Sequence, residues 1–126
     1  MTGIYDFNVL KVKTVLADGN YTEAWKQICN SLHNTGRDFH TVSMHPRKNV
    51  PEKWFHAIAY GDLVMIQKAE DSRKNSEVTM FRPLRQAEFE ILAPHYNDYV
   101  RGISTAIRQT KSQNSSYVIT LIAELL

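Results

Sequence analysis

The chain has one cysteine, Cys29, among its 126 residues. A single thiol excludes an internal disulfide framework and is typical of a protein from a reducing compartment. No segment reaches the roughly 18 apolar residues of a membrane-spanning helix, and the start MTGIYDFNVLKVK lacks the apolar core of a secretion signal. We therefore expect a cytoplasmic protein that does not enter a membrane.

The sequence also has no large excess of positive or negative charge, because 15 Lys and Arg residues against 13 Asp and Glu residues give a formal net charge of +2. So small a charge does not identify a nucleic-acid binder, and only local clusters of cations could serve that function. The apolar fraction of 43% and the charged fraction of 22% indicate a folded chain. Its length is typical of one globular domain, residues 1–126.

Common signatures of cofactor and metal sites are absent from the sequence. There is no glycine-rich phosphate loop and no Gly-x-Ser-x-Gly nucleophile elbow. A lone cysteine with scattered histidines gives no zinc-ligand spacing. We expect neither a cofactor nor a structural metal.

The first part of the chain predicts a strand and then a helix. Alternation in residues 7–16, FNVLKVKTVL, favours a strand, with a helix as the alternative. Apolar residues at helical spacing then run from Ala24 to Leu32, with Thr22 as a candidate N-cap and Gly36 beyond the end. Cys29 lies on this apolar stripe, so a buried structural thiol is expected.

The middle of the chain predicts a short helix and a hairpin. Pro51 suits a first helical turn, and Trp54, Phe55 and Ile58 would share one side of that helix. Residues 63–69, LVMIQKA, and 77–81, EVTMF, each favour a strand, and the polar loop EDSRKNS would join them.

The last third has the strongest periodicity. Apolar residues step by three and four from Phe89 to Ile107, which predicts a helical segment that Pro94 and Gly102 interrupt. Residues 117–126, YVITLIAELL, favour a central strand, and a helix stays open as the alternative. This order of elements indicates an α+β fold, with helices on one face of a largely antiparallel sheet around a central β-hairpin. A ferredoxin-like arrangement with an insertion is the topology it suggests.

Residues 39–48, FHTVSMHPRK, combine two histidines with two bases. On a strand, His40 and His45 would point to opposite faces, roughly 17 Å apart at about 3.3 Å per residue, so they would not share one reaction centre. Pro46 also indicates that the strand ends at His45. A metal-independent ribonuclease, with His45 as acid or base and Arg47 or Lys48 on the phosphate, is therefore only the third hypothesis.

Several cations flank aromatic residues, a combination that can hold phosphates and stack on unpaired bases. These cations are Arg47, Lys48, Lys53, Arg73, Lys74, Arg82 and Arg85. The leading hypothesis is a small non-enzymatic domain that binds RNA or DNA, although lysine and arginine also occupy turns simply because water solvates them. The alternative is a protein-interaction module, a regulator or inhibitor, that pairs with another protein or forms a homodimer through residues 89–107 or 117–126.

Overall fold

A computed structural model describes residues 11–42 and 52–126 of the protein. These residues form an α+β fold, as predicted. The strands are β1 (Arg37–His40), β2 (Trp54–Tyr60), β3 (Leu63–Gln67) and β4 (Arg82–Leu84). The helices are α1 (Thr14–Ala17), α2 (Tyr21–Leu32), α3 (Gln86–Leu92), α4 (Tyr96–Val100), α5 (Thr105–Gln109) and α6 (Ser115–Leu125), with a 3-10 turn at Ala93–His95 between α3 and α4.

The strands form an antiparallel sheet in the order β1-β2-β3-β4. Tyr60 pairs with Leu63, so a two-residue turn, Gly61-Asp62, joins β2 to β3. Gly61 has a φ of +64°, a left-handed conformation that glycine adopts without a Cβ clash. This meander differs from the ferredoxin-like order, which alternates strands with helices, because the described residues between β1 and β4 contain no helix.

The central hairpin lies earlier in the chain than predicted. Residues 63–69 do contain β3, but residues 77–81 contain no strand, and β3 pairs instead with β2 and β4. Val78 is buried, whereas its neighbours Glu77 and Thr79 are exposed, so the alternation in EVTMF reflects a loop anchored by one side chain. Such a short alternating segment does not specify strand pairing.

Residues 54–60 form a strand and not the predicted helix. Phe55, Ala57 and Ala59 are buried on one side of β2. On the other side of β2, His56 is the one polar residue beside Trp54, Ile58 and Tyr60, so the sequence WFHAIAY has no continuous polar face that would distinguish period 2 from period 3.6.

Residues 115–125 form helix α6, so the prediction of a central strand is wrong and the helical alternative is right. Every residue from Val118 to Ala123 is buried, because α6 packs against α2, α3 and β1 together. A helix that is enclosed on nearly all sides needs no polar stripe, and its sequence then resembles that of a buried strand.

The described part of residues 7–16 contains no strand: residues 11–13 are irregular, and helix α1 begins at Thr14. The rest of that predicted strand, residues 7–10, lies outside the described residues. Asn97 explains where the chain turns into α1, because its side chain accepts the Lys13 N–H at 2.9 Å and donates to the Lys13 carbonyl at 3.2 Å.

Two helical predictions are confirmed. Helix α2 buries Ala24, Ile28 and Leu32 as its periodicity indicates, although it begins at Tyr21 and has no side-chain cap. The segment from Gln86 to Gln109 is helical with breaks at the predicted places: the 3-10 turn contains Pro94, and Gly102 has a φ of +91°.

The two faces of the sheet differ. One face packs on the helices, since α2 contacts β2 and β3, and α6 contacts β1. Its core residues are Phe39, Phe55, Ala57, Ala59, Val64, Ile66 and Leu84. The opposite face, here called the outer face, contributes none of the described strand residues to the hydrophobic core. By strand alternation and register it carries Asp38, His40, Trp54, His56, Ile58, Tyr60, Leu63, Met65, Gln67 and Pro83.

Candidate functional site

The charged end of the outer face is built around His56. Its imidazole is only 2% exposed. Nδ1 lies 3.0 Å from Oδ1 of Asp38, its cross-strand partner, and Nε2 lies 2.8 Å from Oε1 of Glu70. Gly36 makes room for the ring, because a Cβ at that position would collide with Nε2. His56 therefore lies between two carboxylates that come from different parts of the chain.

Asp38 is the centre of this arrangement. Its carboxylate accepts the backbone N–H of Glu70 at 2.9 Å and of Asp71 at 3.1 Å, and Nζ of Lys74 lies 3.6 Å away. Burial raises the pKa of Asp38, but these two amide hydrogen bonds, with His56 and the charge of Lys74, outweigh it, so the pKa lies below its ordinary value. The carboxylate thus fixes the start of the loop that follows β3.

The same loop docks on the beginning of β2. The Trp54 N–H donates to the Asn75 carbonyl at 2.7 Å, and Nδ2 of Asn75 donates to the Glu52 carbonyl at 3.1 Å. Lys74 Nζ lies 4.3 Å from the centroid of the Trp54 ring, and the His40 ring lies 5.1 Å from it. Trp54 is consequently covered by a cation on the loop and a histidine on β1.

Three predicted nucleic-acid contacts, Lys53, Arg73 and Lys74, lie at this end of the sheet. Lys53 lies 3.1 Å from Glu77, and Arg73 makes a two-point contact with Asp71. The Arg73 hydrogen bonds lower the pKa of Asp71 to about 2, so that carboxylate stays ionised. The carboxylates around these cations are Asp38, Glu52, Glu70, Asp71 and Glu77. Among the described residues, acids therefore outnumber bases here.

Arg82 and Arg85 lie elsewhere. Arg82 belongs to β4, at the other edge of the sheet from β1, and its guanidinium lies 3.1 Å from Oδ1 of Asn114. Arg85 is exposed and directly precedes α3. The remaining predicted residues, His45, Arg47 and Lys48, lie outside the described residues, so their roles stay predictions.

The histidine arrangement does not supply a ready acid or base. Both ring nitrogens of His56 contact carboxylates, and the ring is almost fully buried, so neither nitrogen faces a ligand. Within residues 11–42 and 52–126, no group of three metal-ligating side chains could hold a metal ion. The geometry favours holding a loop in place over catalysis.

The other end of the outer face is apolar. Ile58, Met65 and Pro83 lie side by side across β2, β3 and β4, and Tyr60 pairs with Leu63. Phe81 directly precedes β4 and is two residues from Pro83. We call these six residues the outer-face patch: Ile58, Tyr60, Leu63, Met65, Phe81 and Pro83. Tyr60 is 54% exposed and Phe81 is 70% exposed, and Met80 beside it is 79% exposed.

None of the helices in the described residues is long and apolar enough to span a membrane. Comparison of the chain with protein-family models, with curated proteins and with solved structures finds no match. Function therefore has to be argued from the outer face itself.

Proposed function

We propose that this protein is a non-enzymatic protein-interaction domain that pairs reversibly with a second copy of itself through the outer-face patch. The observation that carries the proposal is the contiguous row of apolar side chains outside the hydrophobic core. An antiparallel sheet with one face in water normally alternates apolar with polar residues. Here the outward residues of β2 and β3 near their turn are apolar instead, as in a protein interface.

The composition of the patch supports a protein partner. Tyrosine, phenylalanine and methionine are enriched at the centres of interfaces, where they bury a large area. Tyr60, Met65 and Phe81 provide all three residue types. The long apolar segments 89–107 and 117–126, which the sequence suggested for this role, instead bury Phe89, Tyr96 and most of α6 in the core.

Two features favour a second copy as the partner. The net charge of +2 is small, so two copies repel each other only weakly. In a dimer with a twofold axis through the patch, the charged ends of the two outer faces would lie at opposite sides of the interface. Both charged ends would therefore stay in contact with water. Two sheets can pack in this way about 10 Å apart with their inner side chains interleaved.

The size of the face indicates a weak complex. β2 is roughly 23 Å long, and the four strands together are roughly 14 Å across. The area that these two dimensions enclose is smaller than the about 800 Å² per partner that a standard interface buries. We expect a dissociation constant of roughly 50–500 µM and rapid exchange.

Sedimentation velocity over a concentration series tests the proposal. We expect the average mass of the wild-type chain to rise with concentration, and Phe81→Ser or Tyr60→Ser to raise the dissociation constant at least about tenfold, because each removes an aromatic anchor. Ile91→Ser and Ile103→Ser are matched controls, since these residues are 58% and 56% exposed but lie off the sheet. A monomer at all concentrations, or an equal effect of the controls, would contradict the proposal.

A second candidate function is nucleic-acid binding at the charged end of the outer face. Its support is Lys74, which lies over the Trp54 ring, on which a base could stack; Lys53 and Arg73 are the chain neighbours of Trp54 and Lys74. The surrounding carboxylates weaken phosphate binding there, so any such affinity would depend on release of the acid partners.

A fluorescence titration with single-stranded oligonucleotides across salt concentrations separates this candidate from the first. If it is correct, affinity falls steeply with salt, and Lys53→Ala with Arg73→Ala weakens binding more than Lys26→Ala with Arg101→Ala. Failure to bind at low salt rejects it and leaves the self-association proposal untouched.

We place either function in the cytoplasm. Support comes from Cys29, which is buried as a free thiol and has no disulfide partner in the sequence.

A further inference from the structure

Residues 68–81 connect β3 to β4 without forming a helix or strand. Connections of this length without secondary structure are uncommon in small domains and often have a function. Polar contacts fix the first half of this loop: Asp38 accepts the Glu70 and Asp71 amides, and Asn75 binds the start of β2. The loop ends at Phe81, next to β4.

Each ring nitrogen of His56 contacts a carboxylate oxygen: Nδ1 lies 3.0 Å from Asp38, and Nε2 lies 2.8 Å from Glu70. An ionised carboxylate can only accept hydrogen bonds, so both contacts are satisfied only when both nitrogens carry protons. A neutral ring has one N–H and one lone pair. One of the two carboxylates would then face that lone pair at hydrogen-bond distance, which is repulsive.

The two carboxylates are not equally free to leave. Asp38 is 9% exposed and is held by two backbone amides and by Lys74. The Glu70 side chain is 70% exposed, and water can solvate it as soon as it turns outward. Loss of a proton from His56 should therefore release the Glu70 side chain and leave Asp38 in place.

We infer that Asp38, His56 and Glu70 form a proton-controlled latch, which holds the start of loop 68–81 on the sheet while His56 is charged and loosens it when His56 becomes neutral. The inference concerns the loop and does not depend on self-association. It gives this domain a way to respond to pH in the range where histidine titrates.

The charged groups around the ring are compatible with this role. On β1, Asp38 faces Nδ1, and His40 lies further along the same face near Glu52. Gln67 of β3, which lies opposite His56, has no charge. From the loop come Glu70 at Nε2 and Lys74 at Asp38, while Arg73 neutralises Asp71.

Asp38 itself does not titrate in this range. Its pKa is lowered, so its stabilising contacts are present above its ordinary pKa of 3.8 and are lost only as the pH falls through the lowered value. Because Asp38 stays ionised above its lowered pKa, the proton that controls the latch is the one carried by the His56 ring.

NMR spectroscopy of the full-length labelled protein tests the latch. The ring resonances of His56 are followed from about pH 5 to 8.5, together with the amides of Glu70 and Asp71, and the exposed His33 ring at the end of α2 serves as an internal reference. We expect the two amides to shift with the midpoint of His56. When His56 loses its proton, the hydrogen exchange of these two amides, corrected for intrinsic rates, should become roughly tenfold faster. This is the effect expected for the loss of one charge-assisted hydrogen bond.

Glu70→Gln is the decisive variant because it changes an exposed side chain and keeps a hydrogen-bond acceptor. It should abolish the pH dependence of loop exchange, whereas the matched control Glu77→Gln, in the same loop, should retain it. The latch is refuted if the two amides ignore the His56 midpoint or if Glu70→Gln behaves like the wild type. Either result can occur whether or not the protein forms dimers.

Discussion

His56 is the residue whose environment the sequence reveals least. Its partner Asp38 precedes it on another strand, Glu70 follows in a loop, and Gly36 provides the space for the ring. None of these residues lies at a spacing that a local pattern would identify, because cross-strand contacts depend on register. With residues 54–60 taken as a helix, His56 would point away from Trp54 and Ile58. On a strand His56 shares the face of Trp54 and Ile58. The helix predicted for residues 54–60 therefore gave no indication of the contacts between His56 and the two carboxylates.

The role of Cys29 was predictable, and it can be measured. Burial, followed by the charge of Asp62, raises the pKa of the thiol to about 11 from its ordinary 9.0. At pH 8 the native protein should therefore contain about a hundredfold less thiolate, and react about a hundredfold more slowly with a disulfide reagent, than the urea-unfolded chain. Equal rates for the native and unfolded protein would show that the thiol is not protected.

The elements that the sequence predicts correctly are those with a strong local signal. Helix α2 has an amphipathic stripe, and the segment from Gln86 to Gln109 has both a stripe and residues that break it, Pro94 and Gly102. β2 and α6 lack a polar face, so their sequences fit either period. Which form they take depends on packing: α6 is enclosed by α2, α3 and β1, and β2 is the strand between β1 and β3.

Helix α6 also ends on a contact that can be tested by mutation. Nζ of Lys13 donates to the carbonyl oxygens of Leu126 at 2.8 Å and Ala123 at 3.3 Å, where the helix leaves carbonyls unpaired and its dipole favours a cation. Lys13→Met should lower the free energy of unfolding by about 1 kcal/mol in urea titrations.

Lys11→Met is the control for this substitution, since Lys11 is exposed and just two residues away. It should leave the urea midpoint within error of the wild type. Equal midpoints for both variants would mean that the Lys13 contact contributes nothing to the stability of α6.

At the scale of the whole molecule, the sequence predicts that cations far apart in the chain meet, and this stays a prediction. Lys53, Arg73 and Lys74 lie at one end of the sheet, each beside an acid, whereas Arg82 belongs to the edge strand β4. The acids that accompany them could not be anticipated, because Asp38 and Glu77 approach only through the meander and the docking of loop 68–81. Charge clusters read from sequence omit such partners.

The two-sided sheet is the basis of the proposed self-association. All core residues of the sheet face the helices, and the outer face combines a charged end, which holds loop 68–81, with the apolar outer-face patch. A second copy would cover that patch without disturbing the charged end. The latch and the interface can therefore operate separately within one small domain.

An NMR dilution series of the wild-type chain tests self-association most directly, because it locates the contact. Between roughly 20 µM and 1 mM, we expect progressive shifts of the amides of Ile58, Tyr60, Met65 and Phe81, with those of Ile91 and Ile103 unchanged. Spectra that do not change with concentration, or shifts confined to the helical side of the molecule, would contradict the assignment of the outer face as the interface.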